Sequence, residues 1–398
     1  MIKMGKRTTT THSSIFSCAV LVLLLQLALA RVHDIRDFGA IHDDDSLIAE
    51  QVNAQAFMDA LVAANYTTGP VREVLVPANH TFGMLGVWGD NFTNINITID
   101  GTIKLSKRHH HWPLADEDSI RDFMMFRDIV NVTFRGEGTV DGQGYMWWVR
   151  EFLQRNKNPK GRPRLVYIRG ARNLEFTGIR WLNSPKQHLN IKDVDTMHLH
   201  DFEIHVDYMG ILELGRLLLG SDDATGRGGL NGMTLPMFPL NTDGIDPAGK
   251  NILIERLNVT NFDDAVAVKS LNRHGDYATC TENVIVRDMN IWFSTGLSVG
   301  SVTPHGIWQG RSCVDNVQFM NVKFYHPLKA IYVKTNPGHT LSMRPGSGGK
   351  ITNVLYENIE VHNPIWWSIY IGPQQQKQPD PEYDSPGCML YPLVPCAT

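Results

Sequence analysis

Two acidic clusters stand within one stretch of the chain, Asn241-Thr242-Asp243-Gly244-Ile245-Asp246-Pro247 and Asn261-Phe262-Asp263-Asp264. Between them Ile252, Ile254, Leu257 and Val259 alternate as strand residues do, which leaves Asn261, Asp263 and Asp264 at a strand end. Adjacent carboxyl groups aimed into one cleft cannot both ionise freely. Their repulsion raises one pKa and leaves a proton donor beside a carboxylate base, the pairing that hydrolysis of a glycosidic bond requires. A bare Asp-Asp in a turn is more often a solvated pair, because perturbed sites are few. The reading therefore depends on the frame that holds the acids.

That frame is a repeat. The apolar pattern h-x-h-x-x-h-x-h occurs at Leu174/Phe176/Ile179/Trp181, Met197/Leu199/Phe202/Ile204 and Ile252/Ile254/Leu257/Val259. It returns at Val284/Val286/Met289/Ile291, Val317/Phe319/Val322/Phe324 and Val354/Tyr356/Ile359/Val361, with weaker copies from Ile97 and Val132. Alternation by two predicts strands, and the fixed step in the middle predicts a bend between two of them. Asn96, Asn131, Asn173, Asn251, Asn283, Asn316 and Asn353 each precede the first apolar position, so a stacked asparagine ladder is expected along that turn. Repeats unable to bury an apolar face alone must stack. The expected fold is all-β, a single-stranded right-handed parallel β-helix. Leu47, Ile48, Val52, Ala56, Phe57, Ala60 and Leu61 recur at helical intervals instead, predicting an amphipathic helix over Ser46 to Ala64 that caps the open end of the core. No comparable cap follows Val361, so an open sheet edge is expected there. The Gly-rich excess at about Tyr208 to Pro239 is expected to wall one end of a cleft.

Asn241-Thr242-Asp243-Gly244, Asp263-Asp264, the run Gly296-Leu297-Ser298-Val299-Gly300-Ser301 and Lys334 occur in the order and at spacings similar to those of the polygalacturonases of glycoside hydrolase family 28. The likeness runs from about Asp37 nearly to the C-terminus. It implies the same β-helix and an inverting three-aspartate hydrolysis of galacturonic-acid-containing polysaccharide (pectin). Asp263 would be the proton donor, and Asp243 with Asp264 would position and deprotonate water. Asn241 would hold a hydroxyl or orient Asp243, and Lys334 would pair with a uronic acid carboxylate. Two positions depart from the family pattern. Thr295 stands where a histidine is usual and Tyr332 where an arginine is usual, so both are candidate substrate-side residues, together with His188 at a strand end facing the presumed cleft. His305 or His274 is a candidate substitute for the missing imidazole. The departures keep open an exo-acting or rhamnogalacturonan-type hydrolase and a catalytically silent carbohydrate-binding β-helix. A pectate lyase would need calcium-binding acids and an arginine base, which the aspartate set with Lys334 fits less well.

Composition bounds the setting. Lys3, Lys6 and Arg7 precede an apolar run ending at Ala28-Leu29-Ala30, so residues 1–30 are expected to be a secretory signal, with 31–398 the hydrolase domain. Removing them takes away three positive charges and changes the formal net charge from −4 to −7. An acidic protein does not attract a polyanion over its whole surface, so local cations must hold an acidic substrate, and nucleic acid is not an expected partner. No membrane association after cleavage and a monomer are expected, in an extracellular or cell-wall location. Cys280, Cys313, Cys388 and Cys396 remain, and Cys280–Cys313 with Cys388–Cys396 is the favoured pairing among three. Sequons at Asn65, Asn79, Asn91, Asn96, Asn131 and Asn258 fit glycosylation. Consecutive residues such as His109-His110-His111 rarely converge on one ion, and neither metal nor cofactor is expected. Trp147-Trp148 and Trp366-Trp367 are candidate sugar platforms, with at least one of each pair expected in the core.

Overall fold

The computed structural model describes residues 31–69, 72–115, 119–148, 161–207, 239, 241–271, 280–302, 312–335 and 349–373. The expected signal, the Gly-rich segment except Pro239, His274, His305, Cys388 and Cys396 lie outside them.

Period-two alternation makes strands, and the strands stack in one sheet of 21, each named pair parallel. Successive turns superpose like on like. Phe176, Leu199, Ile254, Val286 and Phe319 face one another across adjacent rungs and are fully buried, forming one column of the core. A parallel strand can reach its neighbour only by a crossover, and the favoured hand of that crossover makes the coil right-handed. The result is the parallel β-helix expected from the repeat.

The asparagines explain how each turn bends. Asn131, Asn173, Asn251, Asn283, Asn316 and Asn353 all have left-handed φ values between 52° and 57° or, at Asn283, 59°. Asparagine tolerates that region because its short amide can bond locally. Here each amide also reaches its neighbour: Asn173 donates to Asn131 at 2.8 Å, Asn283 to Asn251 at 3.2 Å and Asn316 to Asn283 at 2.9 Å. One expected member is displaced. Asn94, not Asn96, accepts from Asn131, because Ile95 rather than Ile97 lies opposite Val132. Two further columns join Asn290 to Asn258, and Asn358 to Asn321 to Asp288. Asn283→Ala removes two ladder bonds and puts a Cβ without local compensation at positive φ. It is expected to cost about 2 kcal/mol, read as a lower denaturant midpoint, with Asn283→Gly losing less.

The helix Leu47–Tyr66 covers the N-terminal end, beginning where Ser46 Oγ accepts from the Ala49 N–H and running past the expected end at Ala64. Phe57, Ala60, Leu61 and Ala64 close the core beneath it. No helix among the described residues is long and apolar enough to cross a membrane. Cys280 and Cys313 are joined, tying one coil to the next. At the other end, Gly349–His362 and Trp367–Pro373 are the last described strands, and Ile369 and Ile371 are exposed there.

Candidate active site

The acids lie where the strands Ile245–Glu255 and Asp264–Val268, on adjacent coils, begin. In Asp264–Val268, Val266 and Val268 point into the core, and the register shift between Asp264 and Val266 against the next coil takes Asp264 out of that alternation. Asn261 fastens two coils together by donating to the Thr242 carbonyl at 3.0 Å and the Asp264 carbonyl at 2.8 Å. Gly244 donates its N–H to the same Asp264 carbonyl at 2.8 Å, and a Cβ at this position would sit 2.4 Å from the Ala265 oxygen. Only glycine allows that approach, which fixes Asp243 against Asp263 and Asp264. From the following coil, the Thr295 N–H and the Ser294 hydroxyl both donate to the Asp263 carbonyl at 2.8 Å.

These constraints bring one carboxylate oxygen from each of Asp243, Asp263 and Asp264 within 4.8 Å of one another. Asp263 accepts from the Asn241 N–H at 2.9 Å on one oxygen and from the Asp264 N–H at 3.0 Å on the other. Asp264 accepts from Thr295 Oγ1 at 2.8 Å and Ser298 Oγ at 2.6 Å, and Lys334 Nζ donates to its second oxygen. Lys269 Nζ lies 3.6 Å from Asp246, 3.8 Å from Asp264 and 4.0 Å from Asp243. Asp246 is held from behind by Asn190 Nδ2 at 3.0 Å. Two ammonium groups thus supply the countercharge for four buried acids.

That imbalance separates the acids electrically. Burial, then the charges of Asp246 and Asp263, push Asp243 well above the usual carboxylate range. Burial and the neighbouring Asp264 charge raise Asp263. Burial also opposes ionisation of Asp264, yet Lys334 and Lys269 outweigh it and hold that carboxyl below its ordinary value. The set titrates as a unit, with a proton shared on the Asp243–Asp263 side and the negative charge on Asp264. A buried carboxyl with a raised folded-state pKa destabilises the fold increasingly as pH rises above its unfolded value. Asp243→Asn is therefore expected to raise stability by roughly 1–2 kcal/mol at neutral pH while abolishing any activity, the gain vanishing in acid. Thermal melts at pH 7 and below pH 4 check it.

The substrate-side candidates sit differently from expectation. Asn241 uses its backbone on Asp263, and its side-chain oxygen accepts from Arg162 at 3.2 Å, so it does not orient Asp243. His188 is fully buried and cannot meet a sugar. Its Nε2 accepts from the Ser184 N–H at 3.3 Å, so Nδ1 carries the proton and donates to the Asp243 carbonyl at 3.0 Å, and burial drives its pKa down to about 4. Tyr332 is buried too, with Lys329 Nζ over its ring at 3.9 Å, so it offers no open face for stacking. Thr295 serves the acids as a donor to Asp264. Lys334 reaches the same carboxylate in place of open solvent, buried at 2 % exposure. Lys269, Ser298, Arg162 and Lys329 were given no role of their own from sequence, although Ser298 stands in the Gly296-Leu297-Ser298-Val299-Gly300-Ser301 run. Strand parity was the available signal for two of them, since Lys269 and Ser298 alternate with the core residues Val268, Leu297 and Val299. Of the tryptophan pairs, Trp147 and Trp148 are both buried, whereas Trp366 and Trp367 are both exposed.

Comparison with known proteins agrees with this architecture. The chain is 25% identical over 340 residues to a polygalacturonase of Juniperus ashei, covering 84% of this chain and 55% of that protein. It is 28% identical over 273 residues to a probable endo-xylogalacturonan hydrolase A of Aspergillus fumigatus, covering 68% and 55%. The chain thus spans about half the length of these curated relatives. Among solved structures, the endo-xylogalacturonan hydrolase of Aspergillus tubingensis superposes with a TM-score of 0.64 at 19% identity, over 88% of this chain and 79% of that one. The polygalacturonase of Erwinia carotovora gives 0.58 at 20% identity, over 80% and 78%. Both share the fold. The sequence profile of glycosyl hydrolases family 28 matches residues 67–379, most of the chain and every residue of the acid cluster, and the chain belongs to that family.

Proposed function

We propose that this chain hydrolyses glycosidic bonds of galacturonic-acid-containing polysaccharide, with Asp263 as general acid and Asp264 as the base that deprotonates water. Asp243 shares the proton of the set and positions that water. The observation that carries this reading is the meeting of three buried carboxyl groups within 4.8 Å, with Lys334 Nζ donating to Asp264 while Asp263 takes backbone N–H groups, so that burial raises Asp263 and the lysine lowers Asp264. Such a pair presents a proton donor and an ionised base in one pocket at the same pH. Lys269 and Lys334 stabilise the carboxylate charge, and Thr295 with Ser298 fixes its orientation. His188 is a positioning residue acting through the Asp243 backbone.

The relatives named for xylogalacturonan favour a decorated galacturonan as a second reading of the substrate. In the proposed setting, residues 1–30 direct secretion and 31–398 act as one monomeric, glycosylated hydrolase domain outside the cell. Proton NMR of the anomeric signals during digestion of plain and xylosylated galacturonan oligomers tests the reaction. Release of inverted uronic acid ends supports the three-acid hydrolase, and the better of the two oligomers names its substrate. Binding without cleavage of either oligomer would reduce the site to a sugar-binding relic.

A further inference from the structure

Three lysines converge beside the acids, and their ammonium groups are not equally engaged. Lys334 is spent on Asp264, and Lys269 is divided among Asp243, Asp246 and Asp264. Lys329 differs. It is only 4 % exposed, yet no carboxylate among the described residues lies within salt-bridge distance of it. Its Nζ rests on two aromatic faces, 3.9 Å from the Tyr332 ring centre and 5.2 Å from that of Tyr370. On the next rung, directly opposite Lys329, stands Trp367. Its ring lies 5.4 Å from Tyr370 and 5.7 Å from Trp366, and Trp367 and Trp366 are 46 % and 58 % exposed. A poorly solvated cation therefore borders an open aromatic shelf on the C-terminal side of the acids.

We propose that Lys329 and Trp367 form a subsite for an acidic sugar, the ammonium taking the carboxylate of a uronate residue while the indole carries the apolar face of its ring. The proposal rests on the glycan-hydrolase reading above and assigns the recognition of substrate charge to Lys329, with Lys334 serving the base. A uronate offers what this corner lacks, an anion for a nearly buried cation and a flat C–H face for an exposed indole. The cation–π contacts keep the amine in place without neutralising it. Among the described residues, the charged groups acting on it are Asp263 and Asp264, two coils before it, and Lys334 on its own strand. Burial pulls the Lys329 pKa down to about 8, Lys334 adds to that, and Asp264 and Asp263 oppose it. Below that pH the amine is charged and recognises an anion; above it the recognition fades.

The test is calorimetric binding of a galacturonic acid trimer and of its fully methyl-esterified form, at pH 6 and through pH 9. Wild type is expected to bind the free acid about tenfold more tightly than the ester at pH 6, the worth of one charge-assisted hydrogen bond, and to lose that preference as pH rises through about 8. Lys329→Met is expected to bring the acid-to-ester ratio close to one, whereas Lys329→Arg restores it. Trp367→Ala is expected to weaken both ligands about equally, by roughly three- to tenfold. A Lys329→Met protein that melts like wild type and keeps the tenfold ratio overturns the assignment, as does a wild-type preference that persists unchanged to pH 9. A wild type that cleaves pectic oligomers without preferring the acid overturns the subsite and leaves the hydrolase reading standing. One that neither binds nor cleaves them overturns both.

Discussion

Asp263→Asn is expected to lower kcat on a cleavable galacturonan oligomer by about 10²–10⁴-fold, the usual worth of a general acid. The amide keeps the size of the carboxyl but holds no transferable proton. Its KM is expected to stay near that of wild type, because the lost interaction belongs to the transition state. The substitution has one structural cost. Asp263 accepts a backbone N–H on each oxygen, from Asn241 and from Asp264, and an amide can accept only one of them. About 1–3 kcal/mol of stability is therefore lost as well, which a thermal melt separates from the kinetic effect. The pH profile distinguishes the roles. Wild-type activity is expected to fall on the alkaline side as Asp263 loses its proton and on the acid side as Asp264 gains one. Burial beside Asp264 moves the first limb upward, and Lys334 with Lys269 moves the second downward. In the variant's residual activity the alkaline limb disappears. An unchanged kcat, or an alkaline limb that survives, would remove Asp263 from the acid's role.

Lys334→Met is expected to be the most destabilising change in the site, at about 3–5 kcal/mol near neutral pH, because it leaves a buried carboxylate without its closest counter-ion. Lys269 remains, but at 3.8 Å and shared with two other acids. The sign follows from the direction of the Asp264 shift. A carboxyl held below its unfolded value contributes stability above that value, roughly pH 4, and loses it as pH falls through the depressed folded value. The gap between wild type and variant is thus widest at neutral pH and closes in acid. Removing the lysine also raises the affinity of Asp264 for a proton, so the acid limb of the activity profile moves upward. Urea unfolding at pH 7 and pH 3.5 checks the first point. A gap that is the same at both would show that the pair carries no net charge interaction.

Strand parity, asparagine spacing and the helical interval of the N-terminal segment made the solenoid readable before any coordinates, because each is a local pattern repeated many times. The same regularity concealed small displacements. The ladder enters at Asn94, one alternate residue before Asn96, and only pairing against Val130 and Val132 decides between two positions of equal pattern. Asp243, Asp263 and Asp264 were legible as a candidate set because Asn241-Thr242-Asp243-Gly244 and Asp263-Asp264 resemble the family's motifs in order and spacing. The electrostatic reason for their division of labour was not, since it arises from Lys334 on Asp264 and from Lys269 shared among Asp243, Asp246 and Asp264.

By itself the sequence determined that this chain coils and where most of its turns bend, since a period-two pattern and a repeat length suffice to stack rung on rung, and its likeness to family 28 named the three acids. It could not tell a cation that faces substrate from one that is consumed within the protein. Lys334 and Lys329 have the same chemistry and lie on one strand. Only the tertiary structure put a carboxylate from a distant coil against the first and aromatic faces against the second. Electrostatic interaction depends on distance through space in a medium of low dielectric, and that distance is set by stacking between coils, which no local pattern records.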